Sequence, residues 1–281
     1  MLVFASCSTV PPVPPPEAGE TRFACPEDAV PYWQSLGAGL DYWAGRIRKP
    51  NLRLWAVRAD LTDKTLGFRV NEKEGTDEVV SSVKITSFTE RYHCLVGINA
   101  NPFSPVSGKE GEPRRVIGIT VSRGAIVSGP HPPYDALVFY TDGRAEIVAQ
   151  AELQDLSGID HGVGGFFIVL KNGTLPDRLL KAEKEPRHPR SAAGLSADGK
   201  TLYLLVVDGR QLGSVGATES EIGILLNRLG ASDGLNFDGG GSTALALRYP
   251  DGKVRAVNAP IHGGIPGRER GVATCFGIFR R

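Results

Sequence analysis

Short apolar runs cut by glycine-bearing turn dipeptides limit this chain more than any other feature of its sequence. "ALVFYTDGRAEIV" turns at Asp142-Gly143, "GFFIVLKNGTL" at Asn172-Gly173, "SAAGLSADGKTLYLLVV" at Asp198-Gly199 and "ALALRYPDGKVRAV" at Asp251-Gly252. Such a pair between apolar stretches is a strong hairpin signal, because tight hairpin turns need backbone angles that Gly and Asn adopt cheaply. "RVIGITVSRGAIV" reads as a further hairpin, and "LRLWAVRADL" alternates as a half-buried strand does. The 35 glycines are spread along the chain, which suits many turns and not one flexible tract. One segment differs. "ATESEIGILLNRLGA" sets Ile222, Leu225, Leu226 and Leu229 at helical spacing, with Thr218 and Glu221 placed for a capping box and Gly230 as the stop. Many strands, tight turns and few helices predict an α+β fold with mixed or antiparallel sheets and a few flanking helices.

Residues 1–20 read as a tail and Pro-rich linker, 21–51 as an irregular or partly helical lead-in, and 52–281 as the main domain. The lead-in carries Tyr32, Trp33, Tyr42 and Trp43 without clear periodicity. At the start, a short apolar run reaches Cys7 through Ala5 and Ser6, and prolines follow. This resembles the end of a bacterial lipoprotein signal, with Cys7 as the lipid anchor. It predicts a bacterial cell-envelope location, periplasmic or outer-membrane, or otherwise secretion. Cys94 and Cys275 lie in strand-like segments and read as buried free thiols, while Cys25 stands outside them. The 32 Lys and Arg nearly balance the 31 Asp and Glu, so nothing points to a nucleic-acid partner. No apolar run approaches the ~18 residues of a membrane-crossing helix.

G-x-S-x-G, the P-loop pattern, H-E-x-x-H and C-x-x-C are absent from the sequence. What stands out is "NFDGGGSTALAL" at 236–247. One glycine suffices for a turn, and three lose backbone entropy that a turn alone would not repay. They suit a chain that lets amides approach an anion or a sugar ring, with Asp238 at the strand end and Ser242 adding a hydroxyl. Asp208 also ends an apolar strand, in "YLLVVDGR", where Asp-Gly is equally ordinary turn chemistry. Arg187, His188 and Arg190 crowd one loop, and Arg268 and Arg270 another. Arginine suits phosphate because its planar fork donates paired hydrogen bonds. Asn99 follows an apolar strand as a candidate ligand contact or a satisfied turn residue, and His262 reads as a surface loop histidine.

"INANPF", "PRSAAGLSADGKTLYLLVVDGR", "GATESEIGILLNRLGASDGLNFDGGGSTAL" and "RERGVA" stand in an order that resembles the phosphodiester glycosidase family, across about residues 52–281. Where that family has glycines after the first asparagine, this chain has Ala100 and Asn101, and an asparagine near the last strand is replaced around Thr274-Cys275. The resemblance implies hydrolysis of a glycosyl–phosphate linkage with release of free sugar. It implies substrate- or phosphate-binding roles for Asn99, Arg190, Arg210, Thr218, Glu221, Asn236, Gly239, Gly240, Gly241, Ser242 and Arg270. Arg190 and the glycine-loop amides would hold the phosphate. Asp238 or Asp208 would act as base or steady the cationic sugar, and His188 would donate a proton. No cofactor is required and no spacing fixes a metal, although the loop acids leave room for a divalent cation. The expected partner is a small-molecule or glycan substrate with a sugar–phosphate linkage. A non-catalytic envelope lipoprotein that binds anionic glycans is the alternative.

Overall fold

The strand Thr201–Val207 shows how this chain builds its centre. Leu202, Leu204 and Val206 point into one hydrophobic core, and Tyr203, Leu205 and Val207 into another. A strand covered on both faces reads as a continuous apolar run, which is what "YLLVV" is. The structure, a computed structural model, describes residues 31–37, 39–74 and 78–281. The sequence-based expectations for Cys7, Cys25 and the tail lie outside the described residues.

Thr201–Val207 sits mid-sheet in a seven-stranded antiparallel sheet. In spatial order its strands are Gln34–Gly37, Leu40–Ile47, Leu52–Asp60, Thr201–Val207, Arg190–Leu195, Asp233–Asn236 and Phe167–Leu170. One face is covered by the helix Glu219–Leu229, whose Ile222, Leu225, Leu226 and Leu229 join that core. The other face packs on two five-stranded sheets. One runs from Ala125–Ser128 to Ala145–Ala149, and the other contains Val96–Asn99, Leu245–Arg248 and Cys275–Arg280. Phe68, Phe139 and Phe276 meet there, with ring centroids 4.3 to 5.6 Å apart. A small three-stranded sheet completes the strands.

Every pairing of named strands is antiparallel, and the described α-helices are short, at 7, 4 and 11 residues. The fold is therefore an antiparallel β structure with few helices; the expected antiparallel sheets and tight turns are there, and only the α+β label is corrected. The lead-in is corrected too, because Gln34–Gly37 and Leu40–Ile47 form two strands of the large sheet. Its aromatics lack a period because both faces are used. Trp43 enters the core on the helix side, and Tyr42 packs on the core opposite.

The turn dipeptides behave as their chemistry requires. Arg123-Gly124 joins its two strands with both residues at positive φ. Asp142-Gly143, Asp198-Gly199 and Asp251-Gly252 each lie between paired strands. Asn172-Gly173 has the right backbone, with φ of 49° and 75°, but closes only a single bridge between Lys171 and Thr174 before the chain enters the helix Asp177–Leu180. The capping box of Thr218 and Glu221 forms with both reciprocal bonds, and Gly230 ends that helix in the left-handed conformation. Cys94 and Cys275 are buried free thiols.

Candidate active site

Antiparallel pairing brings one end of three central strands together. Ala192 pairs with Asn236 and Arg190 with Val207, so the start of Arg190–Leu195 meets the ends of Asp233–Asn236 and Thr201–Val207. The segments His188-Pro189-Arg190, Asp208-Gly209-Arg210 and Phe237-Asp238-Gly239 therefore leave the sheet side by side. Between them opens a cleft of about 340 Å³, lined by Phe166, His188, Pro189, Arg190, Arg210, Asp238, Gly239–Gly241 and Arg270. That is the size of a small-molecule site.

The three glycines have separate reasons, each visible in the packing. A Cβ on Gly239 would sit 2.7 Å from the Pro189 carbonyl oxygen, and one on Gly241 would sit 2.4 Å from Nη2 of Arg270. Gly240 has a φ of +61°, in the left-handed region. They allow close packing, but they do not form the expected row of open amides. The Gly240 amide donates to the Pro189 carbonyl at 2.8 Å, and the Ser242 amide to the Gly239 carbonyl at 3.1 Å. With those two donors spent inside the loop, the cleft's side chains are its other source of donors for an anion.

Those side chains are guanidinium groups. Arg210 donates to Nδ1 of His188 at 3.0 Å, and Arg270 donates from Nε to Nδ1 of His262 and from Nη1 to Oγ of Ser242, both at 3.1 Å. Neither is in an ion pair among the described residues. Arg190 is buried and committed elsewhere, to the carbonyls of Ala217 and Pro186 and to Glu219 at 3.4 Å. Since arginine only donates, both histidines must carry their proton on Nε2. Burial and then the guanidinium groups of Arg190 and Arg210 lower the His188 imidazole below its ordinary value. Accepting from Arg210 at Nδ1, the ring is biased toward its neutral form.

Asp238 is partly exposed to the cleft. Burial pushes its carboxyl up to about 6, against the opposing pull of a hydrogen bond from Ser242 and the charge of Arg270. Its backbone is tied at both ends, with its amide donating to the Ala100 carbonyl at 2.8 Å and its carbonyl accepting from Nδ2 of Asn99 at 2.6 Å. Asn99 also accepts from Ser191 and the Ala244 amide, which makes it a buried stitch between three segments. Asn101 does similar work, donating to the carbonyls of residues 117–119 and accepting from the Gly164 amide.

Several expected site residues stand outside the cleft lining. Asp208 is buried, also pushed up to about 6 by desolvation, and accepts from Nδ2 of Asn258 and the Ala259 amide. It braces the loop at 257–259 and does not face the cleft. Thr218 and Glu221 form the helix cap, and Glu221 also holds Arg187. Asn236 is buried on the strand, and its side-chain amide has no protein partner among the described residues. Two contributors escape the sequence reading. Nothing in the single-letter pattern separates His262 from a surface histidine, or Phe166 from a core phenylalanine.

The site is thus a carboxylate among arginines at the strand ends of an antiparallel β domain. A profile of the phosphodiester glycosidase family matches residues 92–279, and the chain belongs to that family. It is 30% identical over 244 residues to the SPbeta prophage-derived uncharacterized protein YomE of Bacillus subtilis (strain 168). The match covers 80% of this chain and 36% of that protein, so the chain spans little more than a third of this relative's length. Among solved structures, the catalytic domain of zebrafish N-acetylglucosamine-1-phosphodiester alpha-N-acetylglucosaminidase, auto-inhibited by its pro-peptide, superposes with a TM-score of 0.66 at 18% identity. That likeness covers 88% of this chain and 86% of the other. A hypothetical protein from Synechocystis gives a TM-score of 0.62 at 14% identity, over 86% of this chain and 62% of its own. At these identities the structural likeness is one of fold.

Proposed function

We propose that the protein hydrolyses a glycosyl-1-phosphodiester and releases the free sugar. One observation carries this reading within the family. Asp238 lines the same cleft as two guanidinium groups, Arg210 and Arg270, that are in no ion pair within 4 Å among the described residues. A phosphate ester leaves as a stable anion and needs little protonation, so fixed positive charge can replace the acid of an ordinary glycosidase pair. In this reading Arg210 and Arg270 hold the phosphate, oriented by His188 and His262. Asp238, poised near 6 and ionised at neutral pH, serves the sugar carbon as base toward water or as the carboxylate that steadies its positive charge. His188 then supports Arg210 by accepting from it at Nδ1, beside the proton-donor role expected from the sequence.

A panel of sugar-1-phosphate methyl diesters, read by release of free sugar, tests the reading. Turnover is expected, and Asp238→Asn should lower kcat by roughly 10²–10⁴-fold. Binding without release by the wild-type protein would overturn it.

A further inference from the structure

Three segments meet beside the cleft and are bonded into one rim. Residues 47–53 turn between the strands Leu40–Ile47 and Leu52–Asp60, residues 209–216 follow the strand Thr201–Val207, and residues 257–268 carry His262. Nδ2 of Asn51 donates to the Leu212 carbonyl at 3.1 Å, and the Val215 amide donates to the Asn51 carbonyl at 2.9 Å. Nε2 of Gln211 donates to the Ala259 carbonyl at 2.7 Å. Arg210 lines the cleft and His262 accepts from Arg270, so the rim and the cleft share one end of the molecule.

Charge on this rim has one sign. The three segments hold five Lys and Arg and no Asp or Glu. The acids at their borders are committed: Asp208 accepts from Asn258 and the Ala259 amide, and Glu269 from the Thr86 amide and hydroxyl. Arg48, Arg53 and Arg268 are exposed and in no ion pair among the described residues. Arg53 also stands directly across the ladder from Arg46. Like charges set opposite each other cost stability, and an anionic partner offsets that cost.

The same rim holds aliphatic side chains in water. Leu212 is 101% exposed, Ile265 51% and Val215 43%. Leu212 sits in a turn closed by reciprocal bonds between Gln211 and Ser214, both at 3.1 Å, where small polar residues are usual. Buried Ser214 donates to the Asp208 carbonyl at 2.6 Å and accepts from the Arg53 amide at 3.0 Å. A turn braced on so many sides cannot fold its leucine back onto a core. Single exposed aliphatics are ordinary, but three on a basic rim without acids make an interfacial surface: cations for headgroup phosphates, aliphatics for the acyl boundary. We propose that this rim docks on an anionic lipid bilayer and sets the cleft against its headgroup layer. A soluble polyanion would meet the cations and leave the aliphatics in water, whereas a lipid surface engages both. The proposal is independent of the hydrolase reading, because binding alone tests it.

Flotation of the 281-residue chain with vesicles of phosphatidylcholine, and of phosphatidylcholine mixed with phosphatidylglycerol, decides it. Binding is expected only to the anionic vesicles and should weaken as salt rises. Leu212→Ser combined with Ile265→Ser should lower the partition coefficient about tenfold. Arg48→Gln should lower it about fivefold. Melting temperatures should stay unchanged, and every variant keeps residues 1–30, so the differences report the rim. If the double variant fails to fold, Leu212→Ser alone makes the same comparison at a wholly exposed side chain. No binding of the wild-type protein to anionic vesicles overturns the proposal, as does equal binding to neutral ones. Loss in Arg48→Gln with the serine variants unchanged also overturns it, and tight binding of inorganic polyphosphate would then assign the rim to a soluble polyanion.

Discussion

Burial lifts the Asp238 carboxyl to about 6, and that one displacement has two measurable consequences. The first concerns rate. If the ionised carboxylate does the work, kcat/KM climbs with pH through a limb near 6, and the limb vanishes together with activity in Asp238→Asn. A pH profile of both proteins checks it. The second concerns stability, and its sign is fixed by linkage. A carboxyl raised in the folded state binds protons more tightly there than in the unfolded chain between about 4 and 6. Its contribution is therefore favourable at low pH and is lost as pH rises through about 6. Asp238→Asn should accordingly gain in melting temperature over the wild-type protein at pH 8, and gain less at pH 5. The neighbouring glycines divide by what they touch. Gly241→Ala drives a methyl into the mobile end of the Arg270 side chain, so catalysis should fall while the fold persists. Gly239→Ala meets the Pro189 backbone, which cannot swing away, so the melting temperature should drop as well. Paired thermal melts and rate measurements separate the two.

The helix Glu219–Leu229 packs one face of the central sheet and carries Glu219 next to Arg190. Its start depends on two different residues. Thr218→Ala removes the side-chain acceptor for the Glu221 amide and should cost about 1 kcal/mol. Glu221→Ala should cost more, because it strips the Thr218 amide of its partner and leaves Arg187 without its carboxylate. Denaturant titrations of the two variants give the order. This is why Glu221 reads as a motif residue without touching the cleft. Its carboxylate holds Arg187, next to His188 in the strand-end loop. Asp208 works by the same route, since it ties Asn258 and Ala259 to the end of the strand Thr201–Val207.

Phe276, fully buried, stacks on Phe139 at 5.4 Å and on Phe68 at 5.6 Å, joining the two five-stranded sheets beneath the seven-stranded one. Phe276→Ala should cost about 3–5 kcal/mol, from lost burial and a residual cavity. Because one core spans all three sheets, the loss should lower a single cooperative transition and not split it. The same core explains where the cleft lies. The large sheet is covered on both faces, so its strand ends are the place where polar groups remain open to a ligand.

Local chemistry determined the turns at Asp142-Gly143, Asp198-Gly199 and Asp251-Gly252, the cap and stop of one helix, and the glycine run that follows Asp238. Each depends on a backbone angle or a side chain within a few positions, so it is legible in one chain read alone. Tertiary structure decided what depends on distant partners. It made strands of Gln34–Gly37 and Leu40–Ile47, and in the second of them Tyr42 and Trp43 serve two different cores and so show no period. It turned Asp208 inward to Asn258, fifty residues away, and spent the Gly240 amide on Pro189. It also set Phe166 and His262 at the cleft. Their contacts are made by neighbours that only the antiparallel sheet brings together, and no spacing along the chain encodes those meetings.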